Sequence, residues 1–347
     1  MEEALVKSTV RGVFEDAMAI QVDDMDVGVL SRVFQVTVSF EDRPLRVLVA
    51  KCPRPEFPFL HSMFSVETAF YTQTKHDGIP FLLPTLIHAS SEIVVLDRVD
   101  HVVRYASKDG CPAERVVPVL RTLGRMHGHY WGQSFPQLAQ IPGIGVNLSA
   151  EAKQTQFASL FQPFLDELND ASLAAKVAPL CEQLCLGQVL TFIHNTVETW
   201  EHKSLLHGDF HVANMLFDAS SDDKIWLVDW ATSGASNPLR DVAFFFIVGV
   251  TTNVRRAVEC EAMGAYFKAL NTSDVSLDDI WHMYRLCLVN QFVILVVYNA
   301  LTMSLTKQGS SAEKQEALRQ GFLETNRRAS AAFLDAFPHL VETLASK

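Results

Sequence analysis

Chemistry concentrates between Leu205 and Phe246, which reads LLHGDFHVANMLFDASSDDKIWLVDWATSGASNPLRDVAFFF. His207, Gly208 and Asp209 open an H-G-D-x-x-x-x-N pattern that closes on Asn214, and a second acid, Asp229, follows the apolar run Ile225-Trp226-Leu227-Val228. Met215 to Phe217, a polar turn over 218–224 and the run ending at Asp229 predict a hairpin whose two ends bring Asn214 and Asp229 side by side. Phosphoryl transfer from ATP needs such a sparse set. Its transition state is loose and highly charged, so the protein supplies oxygen ligands that hold Mg2+ against the phosphates. It also supplies a carboxylate that orients the attacking hydroxyl and takes its proton. An Asp and an Asn one loop turn apart, plus an Asp on a neighbouring strand, provide those parts. An HGD triplet alone occurs by chance, and an Asp at a strand end is often a turn residue. The joint pattern, continued by Asn237-Pro238-Leu239-Arg240-Asp241, is far more restrictive.

On these residues the segment resembles the aminoglycoside phosphotransferase and choline kinase group of the protein-kinase-like superfamily. HGDxxxxN stands in place of HRD, and Asp229-Trp230 in place of Asp-Phe-Gly. The resemblance implies that Asp209 is the catalytic base, that Asn214 and Asp229 are the magnesium ligands, and that Asp241 braces the catalytic loop. It also directs attention to Lys51 at the end of VLVAK, where the family binds the α and β phosphates, and to Glu67 on the next helix as its ion-pair partner. Leu96 to Val99, after EIVV, is the expected hinge against the adenine edge. The phosphate-covering loop departs from GxGxxG: Asp26 to Arg32 reads DVGVLSR, which leaves Gly28 and Ser31 to bring backbone amides to the phosphates. No activation segment separates Asp229 from Asp241, so no phosphorylation switch is expected. VETAFY at 66–71 and Met126-His127-Gly128-His129-Tyr130-Trp131-Gly132 resemble the ecdysteroid kinase-like branch. His127 and His129 read as the polar end of a packed helix, because no third metal ligand accompanies them.

The elements that must position these residues fall into two kinds. Arg32 to Phe40 and Leu45 to Lys51 are rich in β-branched and aromatic residues and flank a polar turn, a hairpin signature. A helix is predicted over 59–75, with Phe64, Phe70 and Tyr71 inward, followed by strands over Phe81–Ile87 and Glu92–Leu96. From about residue 111 the pattern turns helical: Val116–Tyr130, two or three helices over 150–202, and more after the β-rich segment 205–230. This predicts an α+β, bilobal, protein-kinase-like fold. A small antiparallel-sheet lobe with one helix (residues 1–98) would bind nucleotide, and a larger, mainly helical lobe (99–347) would hold catalysis and acceptor.

Composition narrows the partners. The 347 residues are 48% hydrophobic and 20% charged, an ordinary globular balance, and the formal net charge is −11. With no basic cluster, nucleic acid is not an expected partner. The N-terminus carries acids where a signal peptide carries bases, so the cytoplasm is the expected compartment. Leu286–Leu301 is apolar but short and interrupted by Asn290, Gln291 and Asn299, which predicts a buried helix rather than a membrane span. Six scattered cysteines contain no CxxC, and Cys181 and Cys185 read as ordinary thiols of one helix.

The expected partner is a small-molecule hydroxyl acceptor. Its wall is expected from 150–202 and 281–303, where Phe157, Phe161, Phe164, Phe192, Trp200, Tyr284, Phe292 and Tyr298 favour a lipophilic alcohol such as a sterol. Asp166, Glu167 and Asp170 keep a cationic amino alcohol as the rival. A non-catalytic pseudokinase is disfavoured because Lys51, Asp209, Asn214 and Asp229 are all present. A protein kinase is disfavoured because peptide-docking features are missing.

Overall fold

Apolar residues at alternate positions build the N-terminal sheet. In β2 (Ser31–Ser39) Phe34, Val36 and Val38 are buried, and in β3 (Arg46–Pro53) the buried set is Leu48, Ala50 and Cys52. The two strands pair antiparallel, as the hairpin signature predicts. With β1 (Ala19–Asp24), β4 (Leu86–Ala89) and β5 (Val94–Asp97) they form a five-stranded antiparallel sheet in the order β1-β2-β3-β5-β4. Helix α1 (Glu2–Val13) lays Val6 and Val10 on one face of it. Helix α2 (His61–Gln73) buries Phe64, Phe70 and Tyr71 in the larger core shared with the helical part. The computed structural model describes residues 2–25, 31–54, 61–74, 76–136, 138, 149–186, 188–221, 224–305, 307 and 311–345.

The strand expected over Phe81–Ile87 begins only at Leu86. Pro80 and Pro84 flank Phe81 to Leu83, and a proline has no N–H to give a ladder. Leu82 instead exchanges backbone hydrogen bonds with Ile225 and Leu227, at 2.8 and 3.0 Å, and so ties this segment to the catalytic hairpin. Strand β1 was not foreseen. Its AIQVDD sequence has a single buried residue, Ile20, too little alternation to mark a strand.

The helical part carries β6 (Val102–Val103), α3 (Ala113–His129), α4 (Ala150–Glu167), α5 (Ala171–Cys185) and α6 (Val189–Thr199). Then come β7 (Ser204–Leu206), β8 (Met215–Asp218), β9 (Ile225–Leu227) and β10 (Gly234–Ser236). Helix α7 (Leu239–Phe244) runs into a π-helical turn over Phe245–Gly249. Helices α8 (Thr252–Leu270), α9 (Leu277–Leu305) and α10 (Ala312–Ala345) complete the chain. Among the described residues α9 is the one helix long and apolar enough to cross a membrane. Its apolar window has mean hydropathy 1.8 and is 61% buried within the protein. It packs against α4, α6, α7, α8 and α10, which makes it the central helix of this part.

Candidate active site

The catalytic loop is held by backbone geometry that the HGD triplet specifies. Strand β7 pairs with β10, and the chain then turns sharply at Gly208, whose φ is +82°. A Cβ there would stand 2.3 Å from the Thr232 carbonyl oxygen, so only glycine fits both the angle and the space. Asp241 accepts hydrogen bonds from the backbone N–H groups of His207 (2.8 Å) and Gly208 (2.9 Å), the bracing position expected for it. His207 donates from Nε2 to the Val228 carbonyl at 2.9 Å and accepts at Nδ1 from Asp209 N–H at 3.3 Å. Burial pushes its pKa down, so the ring stays neutral in that tautomer. His127, one of the two histidines of α3, is fully buried against Tyr266 Oη (2.9 Å) and 3.6 Å from Asp241. It belongs to the packing behind the loop.

Asp209 and Asn214 are joined directly. Asn214 Nδ2 donates to both the carboxylate Oδ2 and the backbone oxygen of Asp209, each at 3.0 Å. Its Oδ1 is therefore left as a free acceptor among the described residues. The predicted hairpin is present, with Met215 opposite Leu227, and Val228 N–H donates to the Asn214 carbonyl at 3.0 Å. Asp229 follows in the left-handed region at φ 67°, which Asp tolerates better than most side chains. Its oxygen and that of Asn214 are hard ligands at adjacent strand ends. That donor set fits magnesium, which takes few protein ligands.

Lys51 bridges the two halves of the site. Because Ala50 and Cys52 point into the sheet core, the strand alternation turns Lys51 to the cleft. Its Nζ reaches Glu67 Oε2 at 2.7 Å and Asp229 Oδ1 at 2.5 Å. Burial opposes the charge on Lys51, but Asp229 and Glu67 outweigh it and hold its pKa above the ordinary lysine value. Glu67, with a side chain 2% exposed, is pushed upward by burial against the pull of Lys51. Trp230 stacks on Phe70 of α2 at 4.0 Å between centroids, which locks α2 to the segment carrying Asp229.

The sequence alone suggests that Lys51→Ala leaves the fold intact, as at an exposed cleft edge. Burial reverses that expectation. The variant leaves Glu67 buried without its cation, a loss typically of about 3–5 kcal/mol. A carboxyl raised in the folded state costs stability as pH climbs from its unfolded value through its folded one. Melting curves should show Lys51→Ala losing more Tm against the parent at pH 8 than at pH 5. An equal loss at both would contradict the pairing.

One histidine escaped the sequence reading. His211 accepts at Nδ1 from Ala213 N–H (3.2 Å), with Ser107 Oγ at 3.4 Å, so its Nε2 proton faces Asp209 Oδ2 at 3.4 Å. Burial alone would lower its pKa, yet Asp209 overrides it and raises it. Burial would likewise raise the Asp209 carboxyl, but His211, His207 and Asn214 hold it well below the carboxylate range. The signal available was proximity alone: His211 lies two residues after Asp209, and a tight turn closed by His211 N–H on the Asp209 carbonyl (3.0 Å) brings the two together.

A cleft of about 780 Å³ joins these groups. Ser31, Val33 and Lys51 line its sheet side, and Asp209, His211, Asn214 and Asp229 line the centre. Gly28 lies outside the described residues. Leu96 pairs with Val49 inside the sheet, and neither Leu96 nor Val99 lines the cleft. In the expected hinge the N–H groups of Asp97 and Arg98 are taken by Thr85 and Val47, so Val99 is the first with a free donor among the described residues.

The far wall corrects half of the expectation. Helix α9 lines it through Leu295 and Asn299, inside the expected 281–303, but α10, through Leu318, Phe322 and Asn326, stands where 150–202 was expected, with Phe244 and Val248 beside it. Phe157, Phe164, Phe292 and Tyr284 are core residues, and Phe161, Phe192, Trp200 and Tyr298 pack against the core without lining the cleft. Asp166 bonds Gln162, and Asp170 caps α5, so neither faces an acceptor.

Solved structures with this fold include small-molecule kinases and phosphotransferases. A choline/ethanolamine kinase family protein from Mesorhizobium loti aligns over 96% of this chain and 99% of its own, at 14% identity and TM-score 0.54. Choline kinase from Cryptosporidium parvum Iowa II aligns over 97% of each chain, at 12% identity and TM-score 0.54. The GDP complex of aminoglycoside 2'-phosphotransferase-IIIa aligns over 92% of this chain and 99% of its own, at 15% identity and TM-score 0.55. No curated protein matches the chain in sequence. These likenesses show a fold of the protein-kinase-like class. Within that class, residues 133–277 match the ecdysteroid kinase-like family. The matched stretch contains the catalytic loop and lies downstream of the two segments that suggested this branch.

Proposed function

We propose that the protein is a cytoplasmic, magnesium-dependent enzyme that transfers the γ-phosphoryl group of ATP to a hydroxyl of a small lipophilic alcohol such as a sterol. The sheet lobe (1–98) holds the nucleotide, with Lys51 orienting the α and β phosphates and Glu67 fixing Lys51. Asp209 orients the acceptor hydroxyl and takes its proton, and His211 and Asn214 aim the carboxylate. Asn214 and Asp229 would hold magnesium, which neutralises charge developing on the transferred phosphoryl group.

The composition of the cleft supports the acceptor class. Among the described residues that line it, the only acids are Asp209 and Asp229, both at the chemistry, while Lys51, Lys108 and Lys314 also face it. A polycation would meet lysines there instead of a carboxylate cage, and the wall of Leu295, Leu318 and Phe322 suits an apolar body. The test is a side-by-side comparison of a sterol, choline and an aminoglycoside with Mg·ATP, read as kcat/KM. The sterol should be preferred. A clear preference for choline or the aminoglycoside would remove this reading.

A further inference from the structure

The far wall of the cleft contains a polar relay that transfer itself does not use. Asn299 on α9 and Asn326 on α10 are 7% and 4% exposed, and both line the cleft beside Leu295, Leu318 and Phe322. Asn299 Nδ2 donates to Glu167 Oε2 at 2.6 Å, and Asn326 Nδ2 donates to Asn299 Oδ1 at 2.7 Å. Chemistry fixes the direction of this relay. An ionised carboxylate only accepts, so the amide nitrogen of Asn299 faces Glu167 and its oxygen faces Asn326. Asn326 must answer with its own nitrogen. Its Oδ1 is then left over, and among the described residues no donor reaches it. The atom stays accessible at the cleft wall, because it is absent from the sealed, unpartnered polar atoms of the structure.

We infer that Asn326 Oδ1 is the specificity contact of the acceptor pocket, and that the favoured acceptor is a lipophilic alcohol with a second hydroxyl remote from the one phosphorylated. The inference rests on the apolar-acceptor reading above and names the feature by which that pocket chooses. A bound alcohol with only one hydroxyl expels water from Oδ1 and gives it no donor in return. A second hydroxyl restores the bond. Sites built around a buried polar atom discriminate against ligands that leave it unpaired, here by about ten-fold for one neutral contact. Glu167 acts at one remove as a positioning residue, since it sets which way both amides face.

Androstanediol and androstanol share a ring skeleton and differ by one hydroxyl, so their kcat/KM ratio reads the contact directly. The parent should prefer the diol by about ten-fold. Asn326→Leu should bring the ratio close to one. Glu167→Gln is the second variant, chosen because Glu167 is exposed and its loss spares the fold. A glutamine amide can face Asn299 with either end, so the relay loses its direction and the ratio falls part of the way. A merely structural defect would lower both substrates alike and leave the ratio unmoved. A parent that treats the two alcohols equally, or variants that keep the full ratio, would overturn the inference and leave the phosphotransferase reading standing. Transfer to neither alcohol would overturn the apolar-acceptor reading and this inference with it.

Discussion

Asp209→Asn should abolish phosphoryl transfer while ATP binding stays within a few-fold of the parent. The substitution preserves shape, and the new amide oxygen can still accept from Asn214 Nδ2, which now holds Asp209 at 3.0 Å. What disappears is the negative charge and the site for the departing proton. A positioned base contributes roughly a hundred- to ten-thousand-fold in rate. The depressed pKa keeps Asp209 charged across the neutral range, so the loss should be equally deep at pH 6 and pH 8. Single-turnover transfer beside equilibrium nucleotide binding separates the two effects. Turnover within a few-fold of the parent would take the base role away from Asp209.

Asp229→Ala should lose turnover and nucleotide affinity together, and raised magnesium should restore part of the affinity. On the proposed reading Asp229 is shared between magnesium and Lys51, whose Nζ lies 2.5 Å from its Oδ1. Removing it frees the lysine to close on Glu67 alone and, on that reading, takes away a metal ligand. Alanine is also worse placed at φ 67°, at a cost of about 1–2 kcal/mol. Asp229→Asn is therefore the paired variant: it keeps the backbone conformation and weakens only the ligand. Nucleotide titrations with and without magnesium decide the matter. An unchanged affinity in the presence of magnesium would mean that Asp229 does not hold the metal.

How much of this site was legible in the sequence depended on how local each part is. His207 to Asp229 is one loop and one hairpin, so residue types and spacing carried its geometry, down to the adjacency of Asn214 and Asp229. Lys51 and Glu67 were legible because strand alternation and one helix face fix their direction. The far wall of the cleft was legible only in part: 281–303 lines it, but 150–202 does not. Periodicity marks a face as apolar but does not say what covers it, and the aromatic faces of α4 and α6 are covered by core. Phe157 and Phe164 close on Phe292 of α9, which stacks in turn on Phe333 of α10 at 4.3 Å. Asn299 looked like a mere interruption of an apolar helix. Its role depends on Asn326, which comes from the next helix and is far away in the chain.

Helix α10 also carries Arg328, whose side chain is 2% exposed. Its guanidinium donates to the carbonyls of Ser107 (2.6 Å), Lys108 (2.5 Å) and Val248 (3.2 Å). Ser107 is the residue beside His211. This arginine limits how the acceptor range can diverge among descendants of such a chain. Point changes at the residues of α10 that line the cleft, Asn326 among them, reshape its wall one contact at a time. The helix as a unit cannot be discarded or exchanged for another without a cation at the same place. Otherwise three carbonyls lose their donor, and the loop against His211 loses its hold. Substrate diversification should therefore proceed by point changes on one face of α10, not by replacing the C-terminal helix.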